Sequence, residues 1–189
     1  MDMESNWMCS LDRQLELLLP RFSLFTWCVT APDGSSIELL EQRIGWSLPE
    51  IYRSFLARYG AMLVEPRPAS LIATGREPDL VEDSRLAGFY VFGASRGLPD
   101  FLSLERAVAE IRAAGELPLL PFFKRLYSSQ LFGFTRHGRV ASWSFERRHI
   151  VEIADADFNE LLLTAARDLA RPDDTAARDA REREGGVAQ

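Results

Sequence analysis

The chain of 189 residues is short of the residue types that usually announce chemistry or a special environment. Its two cysteines, Cys9 and Cys28, lie near the start without metal-ligand spacing, and a small secreted scaffold stapled by disulfides would need more. A reducing compartment suits such a chain, so a cytoplasmic location is the expectation. The two histidines, His137 and His149, are well separated and make no ligand set with the distant cysteines; no metal is expected. Neither Gly-x-Gly-x-x-Gly nor Gly-x-x-x-x-Gly-Lys occurs, so no phosphate-cradling loop and no cofactor are expected. No long apolar run survives either. The stretch from Leu15 to Val29 is broken by Glu16, Pro20 and Arg21, and the start carries Asp2 and Glu4, which speaks against a signal peptide and a membrane span. Positive charge is in deficit, with 22 basic against 28 acidic residues, a net charge of -6 and a pI near 5.1. Nucleic-acid affinity comes largely from cations displacing phosphate counterions, so no nucleic acid is expected as partner and a basic protein surface fits better.

What is present is an ordinary globular composition, 47% hydrophobic and 26% charged, enough for one domain with a full core. We expect that domain over residues 1–170. From Arg171 onward acids and arginines alternate without an apolar face, which predicts a flexible tail over 171–189.

Leu11, Leu15 and Leu18 recur at helical spacing between Trp7 and Leu19, and Pro20 stops the pattern. Phe22 to Thr30 is rich in β-formers and is followed by the turn residues Ala31-Pro32-Asp33-Gly34. Ser35 three residues before Glu38 resembles a capping box, Ile37, Leu40 and Ile44 share a face, and Gly45 can close the helix, which predicts a helix from Ile37 to Ile44. Leu48-Pro49 opens a second helix with Tyr52, Phe55, Leu56 and Tyr59 as its buried stripe, ending at Gly60. Residues 61–87, with Pro66, Pro68 and Pro78, read as a surface loop. Phe89–Phe92 predicts a short strand, and Ser103 caps a helix bearing Leu104, Val108 and Ile111 that Gly115 closes. The last third reads as a β-meander: Gln130–Thr135, Val140–Phe145 and His149–Ile153. Asp155 or Asp157 then caps a helix with Phe158, Leu161, Leu162, Ala165 and Leu169 facing inward. This order predicts an α+β fold, an antiparallel sheet with helices packed mainly on one side.

The run Ile37-Glu38-x-Leu40-Glu41-x-x-Ile44-Gly45-x-x-Leu48-Pro49-x-x-Tyr52-x-x-Phe55-Leu56-x-x-Tyr59 resembles the opening motif of the SUKH superfamily, which includes the Smi/Knr-type cell-wall regulators and many bacterial immunity proteins. Leu117-Pro118, Gly138-x-Val140-x-x-Trp143 and Ile153-Ala154 leading to Phe158-x-x-Leu161-Leu162 are similar too, so the likeness covers about 35–165. Gly60-Ala61-Met62 stands where the family has Asn-Gly-Gly, and Tyr127-Ser128-Ser129-Gln130 replaces its Gly-rich turn; both departures are expected in loops. The resemblance implies a domain that catalyses nothing and binds a protein: in bacteria commonly a cognate toxin such as a nuclease or deaminase, alternatively an endogenous partner of a regulatory adaptor. It also implies structural roles for Gly45, Leu48, Pro49, Tyr52, Phe55, Leu56, Trp143 and Phe158.

Other chemistry is weighed residue by residue. Gly93-Ala94-Ser95-Arg96-Gly97 has the Gly-x-Ser-x-Gly form of a nucleophile elbow, but Leu98-Pro99-Asp100 follows where that motif needs a helix. Lys124 to Arg148 is basic and carries Phe132, Phe134, Trp143 and Phe145, whose alternation is that of a sheet facing its helices. The acids Glu65, Glu77, Asp79, Glu82 and Asp83 are the best candidates for a partner-facing surface, joined by Trp46 and Tyr127 as exposed aromatics.

Overall fold

Three leucines at helical spacing set the first element. Helix α1 (Met3–Leu18) buries Leu11, Leu15 and Leu18. The computed structural model describes residues 3–67, 88–113, 115, 119–144, 146–147, 149–153 and 157–170; the acids from Glu77 to Asp83, Asp155, Phe145, Leu117-Pro118, Ala154 and the tail lie outside them. Strand β1 (Phe22–Thr26) ends earlier than its composition suggests, because Cys28–Thr30 close into a 3-10 turn.

Helix α2 (Gly34–Ile44) starts before the expected Ser35 box. Asp33 is the cap: its carboxylate accepts from Ser36 N–H at 2.8 Å and from the Ser35 hydroxyl at 2.9 Å, so Ser35 already lies inside the helix. A carboxylate is favoured here over a hydroxyl because the helix N-terminus carries partial positive charge. Those bonds, Ser36 first, hold the Asp33 carboxyl below its ordinary value, with Arg96 adding to the effect. Gly45 ends the helix in the left-handed region at φ 59°, as expected. Helix α3 (Glu50–Tyr59) follows Pro49, which is its non-helical N-cap and does not enter the first turn, and stops at Gly60, φ 69°. A Cβ at Gly60 would stand 2.0 Å from Ser95 Oγ and 2.5 Å from the Trp27 carbonyl, so both conformation and space demand glycine.

Among the described residues seven strands form one antiparallel sheet in sequence order: β1, β2 (Met62–Pro66), β3 (Phe89–Val91), β4 (Leu120–Arg125), β5 (Gln130–Phe134), β6 (Val140–Ser144) and β7 (His149–Glu152). The α+β class and the meander are as expected; β2 and β4 are corrections. Residues 62–66 are no surface loop: they pair with β1 throughout and with β3 over 62–64, and Met62 and Val64 are fully buried. The prolines further along 61–87 had masked three apolar residues too few to register as a pattern. In β4, Pro121 sits at a register shift before Phe123, where the ladder tolerates a missing N–H. The Gly60-Ala61-Met62 departure thus leads straight into a central strand, with Ala61 and Met62 buried.

Cross-strand partners share a face. Register therefore puts Val64, Phe89 and Arg125 in one row on the face of Met62, Val91, Phe123 and Phe132, and Tyr90, Lys124, Leu131, Trp143 and Ile150 on the other. Trp143 thus lies opposite Leu131 and does not share the face of Phe132 and Phe134, a correction to the simple alternation reading. Helix α4 (Leu104–Ala113) is capped by Ser103, whose hydroxyl accepts from Arg106 N–H at 3.3 Å. Helix α5 (Phe158–Ala170) is capped by Asp157, which accepts from Glu160 N–H at 2.7 Å. Leu163 and Ala166 join its buried stripe, while Leu161 is only half-buried.

One ring joins five of these elements. Phe158 lies 5.9 Å from Trp7 of α1, 5.5 and 5.6 Å from Tyr52 and Phe55 of α3, 5.1 Å from Phe122 of β4 and 6.0 Å from Phe134 of β5. The Tyr52 hydroxyl, inside this cluster, donates to the Phe92 carbonyl at 2.7 Å. Arg125 meets Asp168 of α5 at 3.1 Å, which lays α5 along the Phe89–Phe123 face.

Phe158→Ala is expected to lower stability by about 3–5 kcal/mol, and Phe132→Ala, at a half-buried site, by clearly less; chemical denaturation checks both. Asp33→Ala is expected to lower the melting temperature at neutral pH. Because the folded carboxyl titrates below its unfolded value, the wild-type advantage is present above the ordinary carboxylate range and fades as pH falls through the lowered one, which melting curves against pH would show.

Candidate functional site

The bend between α2 and α3 is built around Glu41. Its carboxylate accepts from Leu48 N–H at 2.5 Å and pairs with Arg53, whose Nε also donates to the Leu48 carbonyl at 3.3 Å. One side chain of α2 thus fixes where α3 starts. Trp46 at the bend is not the exposed aromatic that its loop position suggested. It is buried, with the Arg136 guanidinium 4.6 Å from its ring centre, so the β5–β6 turn covers it by a cation–π contact. Beside it lies an open cleft lined by Glu38, Gln42, Ser47 and Arg136.

A second cleft of about 610 Å³ lies between the 3-10 turn at Cys28–Thr30, α2 and the loop carrying Ser95. Its floor is pinned by backbone bonds. Ala94 N–H donates to the Gly60 carbonyl at 3.2 Å, Gly93 N–H to Leu102 at 2.8 Å, and Leu104 N–H to Gly93 at 2.9 Å. The Thr30 hydroxyl donates to the Arg96 carbonyl at 3.2 Å, and the buried Ser95 hydroxyl to the Trp27 carbonyl at 3.3 Å. Ser95 is therefore an anchor for its loop; the 3-10 turn Asp100–Leu102 follows it, and neither histidine lines the cleft. At the rim stand Val29, 95% exposed, and Leu39, 57% exposed, with Arg43 paired to Glu105 at 3.2 Å. The sequence reading missed these two apolar residues. A signal existed for one of them: Leu39 falls off the Ile37–Leu40–Ile44 stripe of its own helix.

Of the predicted partner-facing residues, the three that are described, Glu65, Tyr127 and Trp46, divide between the two ends of the sheet. Val64, Phe89 and Arg125 are in register, so Glu65, Arg67, Gly88 and Tyr127 all lie at one end, and the segment 68–87 carrying Glu77, Asp79, Glu82 and Asp83 leaves and re-enters there. Trp46 lies with the β5–β6 turn at the other end. Glu65 itself is half-buried on β2 beside Ser23 of β1. Tyr127 is 72% exposed and holds φ at 61°, a conformation costing a residue with a Cβ about 1 kcal/mol. It stands in the turn where the resembled family has glycine.

Three arginines of the basic stretch after Lys124 make internal contacts: Arg125 with Asp168, Arg136 with Trp46, Arg139 with Glu152 at 3.1 Å. Phe134 and Trp143 are buried and Phe132 is half-buried, leaving no row of exposed rings on β5 and β6 among the described residues. Among the described residues no cluster of His, Cys, Asp and Glu is arranged to hold a metal, and no helix is long and apolar enough to cross a membrane. No protein-family model and no curated protein matches the chain.

Removing the Glu41 carboxylate leaves Leu48 N–H without its acceptor and Arg53 without its ion-pair partner. Glu41→Ala is expected to cost about 2 kcal/mol, as for a hydrogen bond to a charged group, whereas Arg43→Ala, at an exposed ion pair, costs under about 0.5 kcal/mol. Denaturant midpoints of the two variants distinguish them.

Proposed function

We propose that this chain is a non-enzymatic protein-binding domain of the SUKH type, a bacterial immunity protein that neutralises a cognate toxin in the cytoplasm by direct contact. The observation that carries the reading is the pair α2 and α3, hinged at Gly45 and Leu48-Pro49 and set against an antiparallel meander, which is the arrangement the sequence resemblance implies. Two further features support it. The Ser95 hydroxyl donates to a carbonyl and not to an imidazole, which suits a chain that catalyses nothing. The net charge of -6 and the end of the sheet bearing Glu65, Tyr127 and both ends of the acidic segment suit a basic partner surface, such as that of a nuclease or deaminase. Carboxylates there would act mainly on encounter rate, by long-range attraction that salt screens.

Co-purification with the product of a neighbouring toxin gene tests the class. A stoichiometric complex that abolishes the toxin's activity supports the immunity role, and recovery of an endogenous regulator instead gives the adaptor role. Replacing Glu77, Asp79, Glu82 and Asp83 with Gln and Asn is expected to slow association about tenfold at low salt with little change in dissociation. Unchanged association kinetics would remove this surface from the proposal. A hydrolytic activity lost on Ser95→Ala would overturn the non-enzymatic reading.

A further inference from the structure

The two edges of the sheet are built differently. β7 is short and carries a charged or titratable residue at each end, His149 and Glu152, the latter paired with Arg139, the usual protection against strand addition. β1 has one such charge, the Arg67 guanidinium at its Phe22 end, and none along the rest of the strand. From Phe22 to Pro32 the chain holds no charged residue, and Phe25 on the strand is 45% exposed. Arg67 N–H donates to the Arg21 carbonyl and Trp27 N–H to that of Ala61, so in this register Arg21, Ser23, Phe25 and Trp27 direct their backbone groups to β2. Those of Phe22, Leu24 and Thr26 therefore point outward. Arg67 Nε reaches round to the Phe22 carbonyl at 3.1 Å, and among the described residues nothing bonds to the outward groups of Leu24 and Thr26.

We propose that this edge pairs with the same edge of a second copy, giving a two-fold dimer with a continuous sheet. An isologous antiparallel contact requires each strand to be complementary to itself. β1 meets that requirement in the register centred on Leu24: Leu24 faces its own counterpart, Phe22 faces Thr26 of the second copy, and the exposed Phe25 lies across from Ser23. No like charges meet, and every outward N–H finds a carbonyl, that of Phe22 accepting from Thr26 of the second copy through the lone pair that Arg67 Nε leaves open. The same pairing through β7 would leave its charged ends to be desolvated. The proposal goes beyond the immunity reading and stands or falls separately from it, since it needs no toxin.

Sedimentation across a dilution series tests it with the full chain alone. The wild type is expected to reach twice 21.4 kDa and to dissociate on dilution. Leu24→Pro removes an outward N–H without touching the β1–β2 ladder, and Phe25→Lys charges the edge. Each is expected to weaken the dimer at least about tenfold with an unchanged circular dichroism spectrum, and Phe25→Lys serves if the proline variant folds poorly. Val151→Lys on β7 is expected to leave the dimer intact. A mass of 21.4 kDa at every concentration, or a dimer that Val151→Lys breaks and Phe25→Lys does not, overturns the proposal.

Discussion

The packing of Phe158 against rings from α1, α3, β4 and β5 is the constraint on which the rest of this structure depends. A ring shared by so many elements makes their positions mutually conditional, since close-packed interiors do not yield continuously. Tyr52 adds direction to that contact. Its hydroxyl is wholly buried, where an unpaired polar group is costly, and the Phe92 carbonyl 2.7 Å away is its partner. Burial also pushes the Tyr52 ionisation well above the ordinary tyrosine value, so the bond persists across the working pH range. The α3 helix is thereby held over the sheet at a fixed angle.

From that fixed helix the surfaces follow. Glu41 ties the end of α2 to the start of α3, Arg136 folds the β5–β6 turn over Trp46, and Gly60 lets the chain turn back into β2 while leaving room for Ser95. On the other flank Tyr59 donates to Asp12 at 2.7 Å and Arg58 pairs with the same carboxylate, joining α3 to α1. The result is an asymmetric sheet. One end is closed by the α2–α3 bend and the Ser95 loop, whose internal hydrogen bonds fix it in advance. The other carries Glu65, the strained Tyr127 and the two ends of the acidic segment.

Much of the fold was legible because it rests on local physics. Helical spacing of Leu11, Leu15 and Leu18, glycine at the left-handed position 45, proline before α3, Ser103 and Asp157 as caps and the alternating strands of the meander each follow from a few neighbouring residues. The readings that failed depended on distant ones. Met62-Leu63-Val64 is too short to announce a strand and becomes one because β1 and β3 flank it. Trp46 belongs to a loop by sequence and is buried because Arg136, far along the chain, lies over it.

The sequence by itself determined the α+β class, the hinged helix pair and the net acidity, since composition and short-range periodicity carry these. Tertiary structure alone decided which apolar residues remain outside, as with Val29 and Leu39, that Glu65 and Tyr127 share an end of the sheet, and which of the described strands form its edges. Those properties depend on what the rest of the chain covers. Coverage is a matter of three-dimensional register, and nothing in the residues adjacent to a position specifies it.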